Sequence, residues 1–393
     1  MSEKYLAQPD LDFIHEVIGL GGDTLKKCFQ CATCSVACPI APENSPFPRK
    51  EMIAASWGLK DKLIGNADIW LCHECGDCTT LCPRGAAPGD VMGAIRSIAI
   101  SEYAQPKVLA KAVNDRSQLP KLIAVPAIWL ALMAFITVFM GDFMAKIFNV
   151  FGVHWYHGDH GGEVIAHANF ISSWLVDATF VPLLTASLVV FALGLKRFVS
   201  DIHENAVLNG KTDKAELNFK ELVMSTIRVI PTILLHKKFN ECGENNSRAT
   251  SHMMLLYGFV GCAIVTGIFF VVLYIFGIPG PYSQLNPVKW LGNVSGILII
   301  LGATLLIKDR MAKKSETSTF KDWYLLALVA GLGITGLLSE MTRLGGAKYL
   351  TYLVYYIHLI FVFNLFAFLP FSKMAHFVYR TVALGYAEYA NRK

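Results

Sequence analysis

The chain has 393 residues, of which 54% are hydrophobic and only 17% charged, with a formal net charge of +5. That length exceeds one small domain, and that apolarity excludes an ordinary soluble protein. The small positive excess selects no nucleic-acid partner, because where the charges fall along the chain matters more than their sum.

The opening MSEKYLAQPDLDF has neither the charged start nor the apolar stretch of a secretory signal, so the segment behind it is expected to stay in the cytoplasm. Two copies of one cysteine pattern follow, Cys28, Cys31, Cys34, Cys38-Pro39 and Cys72, Cys75, Cys78, Cys82-Pro83, each C-x2-C-x2-C-x3-C-P. This spacing resembles the run of bacterial two-cluster ferredoxins, in which three close thiolates hold one [4Fe-4S] cube and the fourth reaches the other. By that rule Cys28, Cys31, Cys34 and Cys82 form one ligand set, and Cys72, Cys75, Cys78 and Cys38 the other. Zinc ribbons are the competing reading, but zinc takes four ligands and would leave thiolates over. Disulfides suit an oxidising compartment, and two identical spaced runs fit no small secreted framework better than they fit clusters. Between the runs, Met52, Ile53, Ala55, Trp57, Leu59 and Leu63 recur at helical spacing. A helical ferredoxin domain over residues 1–115 is therefore predicted.

From residue 116 to 393 the chain is organised as long apolar runs. A spanning helix needs about 20 mostly apolar residues, and six stretches qualify: 122–140, 174–195, 253–276, 290–307, 323–338 and 350–371. Lys and Arg divide unevenly between the connections: nine over 196–251, five over 308–321 and four from Lys373 onward, against one each over 141–173 and 277–289 and two over 339–349. The positive-inside rule then puts both termini and the cysteine segment on the cytoplasmic side of the inner membrane. Within the first basic connection, Phe219, Leu222, Val223, Ile227, Ile230, Ile233 and Leu234 recur at helical spacing beside Lys220 and Arg228. This predicts a helix over 219–235, kinked at Pro231, lying in the membrane interface or against a partner.

Ionisable groups at apolar depth are functional candidates by default. His358 and His376 are 18 residues apart, about 27 Å and five turns on one face if a single helix runs through Pro370. His252 opens the third span level with His376, and the two imidazoles could ligate a b-type haem. Taken singly, each histidine reads more readily as an interfacial side chain. Asp177, and Glu340 with Arg343, suit either a quinone pocket or proton path, or else interfacial caps and a surface ion pair.

The stretch HLIFVFNLFAFLPFSKMAH from His358 to His376, and SHMMLLYGF around His252, resemble the cytochrome b subunit of respiratory nitrate reductases and the membrane subunit of heterodisulfide reductases. The resemblance implies one haem b between His252 and His376 and a second using His358. His236 and Cys242 in the first basic connection suit a structural role, or a place near an inner haem as the resemblance to haem-bearing membrane subunits implies. Cys262 stands where the nitrate reductase family supplies the second partner, so the outer haem is held by His358 alone, by His358 with Met133 or a loop histidine (His154, His157, His160 or His167), or is missing. Cys262 itself reads as a small apolar residue. With the cysteine runs, ITGLLSEMTR at 334–343 and PFSKMAHFVYR, nearly the whole chain resembles the fused membrane subunits of the quinone-interacting membrane-bound oxidoreductase complexes of sulfate reducers.

That resemblance implies a mainly α protein, with a two-cluster helical ferredoxin domain ahead of a six-helix cytochrome b bundle over 116–393. It implies two soluble flavin and iron-sulfur partner subunits, electron exchange between menaquinone and adenylylsulfate reductase, and a quinone site placed here near His358, Glu340 and Arg343. The rival readings are a heterodisulfide reductase-like or sulfite reductase-linked membrane subunit, a membrane sensor or transporter, and a structural anchor with a metal domain. No Gly-rich dinucleotide turn and no nucleophile with a placed base occurs, so no residue is assigned as catalytic.

Overall fold

The computed structural model describes residues 8–155, 164–236, 243, 248–312 and 319–392, and every regular element among them is helical. Cys242, His157 and His160 lie outside the described residues. The cysteine-bearing segment comprises α1 (Leu11–Gly19), α2 (Thr33–Val36), α3 (Arg49–Ser56), α4 (Lys60–Ile64), α5 (Asp68–Leu71), α6 (Asp77–Thr80), α7 (Pro88–Tyr103) and α8 (Lys107–Asn114). Asp10 caps α1 by accepting from the Phe13 N–H at 2.9 Å, satisfying one of the free donors of the first turn. The helical spacing over 52–63 resolves into two helices, because the chain reverses at Gly58. Its φ is +68°, and a Cβ there would stand 2.5 Å from the Asp10 carbonyl oxygen, so only glycine admits the turn. Helix α7 starts on Pro88, where a missing N–H costs nothing, and buries Val91, Met92, Ile95, Ile98 and Ala99.

The second half comprises α9 (Leu119–Val150), α10 (Ser173–Leu208), α11 (Phe219–Leu234), α12 (Arg248–Tyr274), α13 (Pro287–Ala312), α14 (Phe320–Leu344), α15 (Lys348–Phe368) and α16 (Ala375–Tyr389). Among the described residues six helices, counting α15 and α16 as one stretch, are long and apolar enough to cross a membrane. Each of the six predicted spans falls on one of them. Large apolar side chains such as Ile128 and Phe139 turn outward, as lipid-facing positions do and soluble surfaces rarely do in such numbers. The helices overrun the predicted spans because apolarity marks only the hydrocarbon-embedded part. The 36 residues of α10 extend about 54 Å against a core of about 30 Å, and its surplus projects toward the cysteine segment. Helix α11 occupies the predicted amphipathic stretch, capped by Asn218. It packs on α16, leaving Phe219, Met224, Ile227 and Leu235 outward.

The helix does not continue through Pro370 from His358 to His376. The chain leaves α15 at Phe368, makes a 3-10 turn at Leu369–Phe371, turns extended at Ser372 and restarts as α16 at Ala375. Pro370 removes a helix donor, and Lys373 is drawn aside to Asp322 at 2.8 Å, which also pairs with Arg310 at 3.4 Å. His358 and His376 therefore sit on different helices.

One hydrophobic core crosses from the cysteine segment into the long helices. Phe13, Trp70, Met92, Ile95 and Tyr103 pack in the same cluster as Phe191, Phe198 and Ile202 of α10 and Tyr379, Ala383 and Tyr386 of α16. Residue 115 marks where apolar spans begin, while packing continues across it.

Candidate metal centres

The two cysteine runs share a backbone as well as a spacing. In the first, Gln30 and Ala32 flank Cys31 at φ +62° and +70°; in the second, Glu74 and Gly76 flank Cys75 at +55° and +92°. Each left-handed pair turns successive thiols to one side of the loop, and a one-turn helix, α2 or α6, follows and packs on its counterpart. A sulfur acceptor is served in each: Gln30 Nε2 donates to Cys28 Sγ at 3.3 Å, and the Glu74 N–H to Cys72 Sγ at 3.4 Å. Such donors stabilise a thiolate ligand.

Cys38, although in the first run, lines a recess together with Cys72, Cys75 and Cys78. Burial, with Cys72 and Cys75 adding to it, pushes the Cys38 thiol up to about 11, and burial and the same neighbours push Cys78 higher still. Iron relieves that crowding, since cluster ligands bind as thiolates and give up their protons. Among the described residues no three His, Cys, Asp or Glu side chains close on a point that would hold a single ion. Four thiols spread around a recess suit a cube with an iron at each corner better than one zinc. In the first run, Cys34 is buried within charge reach of Cys28 and Cys31. Cys31 is exposed, its thiol lowered by the Thr33 hydroxyl.

The second run is tied to the membrane half. Arg96, buried on α7, donates through Nη1 to the Ile69 and Cys72 carbonyls at 2.9 and 3.4 Å and through Nη2 to Glu74 at 2.7 Å. Arg380 of α16 also donates to the Cys72 carbonyl, at 3.4 Å. Burial opposes ionisation of Glu74, but Lys373 and Arg96 hold its carboxyl below the usual range. Trp70, fully buried two residues before Cys72, stacks on the His376 ring with centroids 5.7 Å apart and planes at 27°.

The Nε2 of His376 is buried and has no hydrogen-bond partner among the described residues. An orphaned imidazole nitrogen in a core is costly and suits an axial metal ligand. His252 lies in its electrostatic neighbourhood, as do Lys373 and Arg380. His236 comes within 6.5 Å of His252, ring to ring. Two imidazoles ringed by cations are a donor set that fits a haem and its two propionates.

At the opposite end, Thr335 Oγ1 lies 2.9 Å from His358 Nδ1, a contact that fixes the ring's orientation, as partners of a metal-binding imidazole do. A Cβ on Gly336 would come within 3.2 Å of the same ring, so a larger residue there would push the imidazole or α14 aside by a few tenths of an ångström. His167 is in charge reach of His358, and its Nε2 lies 2.8 Å from Ser339 Oγ. Burial, with Arg343 second, pushes the His167 imidazole down to about 4, which keeps it neutral. Met133 packs in an apolar cluster with Leu130 and Leu359, the exposed His154 offers its carbonyl to Trp174, and Cys262 packs against Ile299 and Ala303. Glu340 is held by Arg343 at 2.9 Å, by Lys289 at 2.6 Å and by Gln284. Asp177 accepts from Tyr274.

Lys289, Thr335, Trp70 and Arg96 are site residues that the sequence did not single out. Only Arg96 left a signal, as a lone cation on the otherwise apolar face GAIRSIAI, where a buried charge demands a partner.

A family model described as "Citrate utilization protein B" (CitB) matches residues 183–393, more than half of the chain. The chain belongs to the CitB family. A second model, the 4Fe-4S dicluster domain, matches residues 24–86 and so includes all eight motif cysteines. This CitB-family protein thus carries a two-cluster iron-sulfur domain ahead of its family region. Over 86 residues the chain is 38% identical to a protein of Archaeoglobus profundus named as like the C-subunit of heterodisulfide reductase, covering 22% of this chain and 46% of that protein. Over 89 residues it is 36% identical to the C-subunit of the H2:CoB-CoM heterodisulfide,ferredoxin reductase of Methanothermobacter marburgensis, covering 22% and 48%. The chain spans about half the length of these curated relatives. No solved structure matches it.

Proposed function

We propose that the protein is the membrane subunit of a quinone oxidoreductase complex, passing electrons between menaquinone and soluble flavin and iron-sulfur partner subunits through haem b and two [4Fe-4S] clusters. Bound, these groups supply one-electron chemistry that no side chain of the chain offers. Cys72, Cys75, Cys78 and Cys38 would hold the cluster nearer the membrane half, and Cys28, Cys31, Cys34 and, by the pseudo-symmetry of the two runs, Cys82 the other. His376 and His252 would hold the inner haem, with Lys373 and Arg380 neutralising its propionates. His358, oriented by Thr335, would hold a second haem, and the buried neutral His167 is a better partner for it than Cys262, Met133 or His154. Menaquinone would bind at that end, with the Glu340, Arg343 and Lys289 ion cluster as its charged wall.

The observation that carries this reading is the stack of Trp70 on His376, two residues from Cys72. It joins the inner histidine to a cluster cysteine through one aromatic ring and a short length of backbone. In this reading residues 1–115 and both termini are cytoplasmic, six spans cross the inner membrane, and the flavin and iron-sulfur partners deliver to adenylylsulfate reductase. The likeness of the N-terminal dicluster domain to the C-subunits of heterodisulfide reductases favours a second reading, in which the terminal acceptor is a heterodisulfide-like compound.

A reduced-minus-oxidised spectrum with iron and acid-labile sulfide counts on the purified protein tests the cofactor set. The proposal expects a b-type alpha band and about eight cluster irons beyond the haem. Zinc in place of iron, or no alpha band, refutes it. Co-purified partner subunits, assayed with adenylylsulfate and with a disulfide, separate the two acceptors.

A further inference from the structure

A second recess lies away from the cysteine runs and from the histidines described above. It has a volume of about 500 Å³ and is walled by α3, α4, the end of α10 and the C-terminal Arg392, a size that holds small organic ligands. Its inner wall is a buried polar chain. Asn66 Nδ2 donates to Glu51 Oε1 at 3.1 Å, Lys211 Nζ donates to Asn66 Oδ1 at 3.2 Å and to Asp68 Oδ2 at 2.7 Å, and Arg392 Nη1 donates to Asp68 Oδ1.

Two atoms of this chain, Glu51 Oε2 and Arg392 Nη2, have no partner among the described residues. Both side chains are 2% exposed, and both residues line the recess. Buried polar groups without a partner are rare unless something outside the chain completes them. Burial, with Asp68 second, pushes the Glu51 carboxyl up to about 7, so below that pH it presents an O–H donor to the recess. Lys50, Lys62, Lys211 and Arg392 line the recess, and the Asp68 carboxylate pairs with Lys211 and Arg392. At the lip stand Trp57, 63% exposed, and the amides of Asn44, Asn205 and Asn209.

We propose that this recess binds a nucleoside phosphate, its phosphates taken by Arg392, Lys50 and Lys62 and its base by the Trp57 ring and the surrounding amides. The cations account for an anion, because Arg and Lys bind phosphate by charge-assisted hydrogen bonds. The volume exceeds what a bare phosphate fills, and the exposed indole offers a stacking face of the kind aromatic rings use for bases. The bound ligand would bridge the cysteine segment, α10 and the C-terminus. This inference does not depend on haem or quinone.

The test is isothermal titration of the detergent-purified full chain with ADP, with inorganic phosphate and with phosphatidylglycerol vesicles. The expected result is one saturable ADP site per chain, at least tenfold tighter than phosphate, and weakened at least tenfold both by Lys62→Glu and by Trp57→Ala. Iron content of both variants should match the wild type, which separates a lost site from a lost fold. No saturable ADP binding at millimolar concentration, or equal affinity in the variants, overturns the proposal. Vesicle binding that depends on Lys62 while ADP fails assigns the site to a lipid headgroup and also overturns it.

Discussion

The two cysteine runs are identical in spacing and nearly so in backbone, yet they occupy opposite environments. Around the second, Arg96 is buried against two carbonyls and Glu74, Arg380 reaches in from α16, and Trp70 is sealed against His376. Around the first, Cys31 is exposed and the neighbouring Phe29 and Val36 present apolar surface outward. The second run thus packs toward the long helices, and the first lies at the surface. In the proposed relay the first run would be the docking side, since redox partners dock through small, transient surfaces.

Substitutions on either side can put that contrast to the test. The largest effect is expected from Cys75→Ser, which should cut cluster iron from about eight to about four per chain; a protein that keeps all its iron would show that the second run is not a separate ligand set. Next is Arg96→Met, which strips buried partners from Glu74 and two carbonyls and should cost about 3–5 kcal/mol. Heating should then release iron from the second cluster first, followed through acid-labile sulfide and the cluster EPR signals, whereas simultaneous release would contradict the asymmetry.

Glu51, beside the polar chain that links the cysteine segment to the C-terminus, gives a pH effect. Its folded carboxyl, pushed up to about 7 by burial and Asp68, lies above the ordinary glutamate value of 4.5. The folded state therefore binds more protons between those values. The stabilisation is fully present below about pH 4.5 and is lost as pH rises through about 7. Thermal midpoints of the wild type should fall across that window relative to those of Glu51→Gln, and parallel curves would show that Glu51 does not titrate there. The smallest effect belongs to Arg84→Ala at the open run. Arg84 lies 3.9 Å over the Phe29 ring, and losing an exposed cation-π contact should cost about 0.5–1 kcal/mol with cluster iron unchanged, as iron analysis and a melting curve would show.

The cysteine runs, the six apolar helices and the helix at 219–234 were legible because each signal is local: spacing for ligands, run length for spans, periodicity for an amphipathic face. The break after Phe368 was not fully legible. Pro370 hinted at it, but the turn is completed by Lys373 reaching Asp322, 51 residues away in sequence. The same holds for Lys289 on Glu340 and for Thr335 on His358, pairs that only tertiary packing creates. His358 and His376 were read as one stacked face, and their separation onto two helices leaves α16 free to lie against α5, where Trp70 meets His376. Trp70 itself looked like any core aromatic in a short apolar stretch.

The proposed relay stands or falls on His376 as a haem ligand joined to the second cluster through Trp70. The most direct test is the reduced-minus-oxidised spectrum of His376→Ala, taken with iron and sulfide counts on the same sample. The expected result is loss of the inner haem's low-spin b-type signal with about eight cluster irons retained. A full low-spin spectrum in that variant would contradict it.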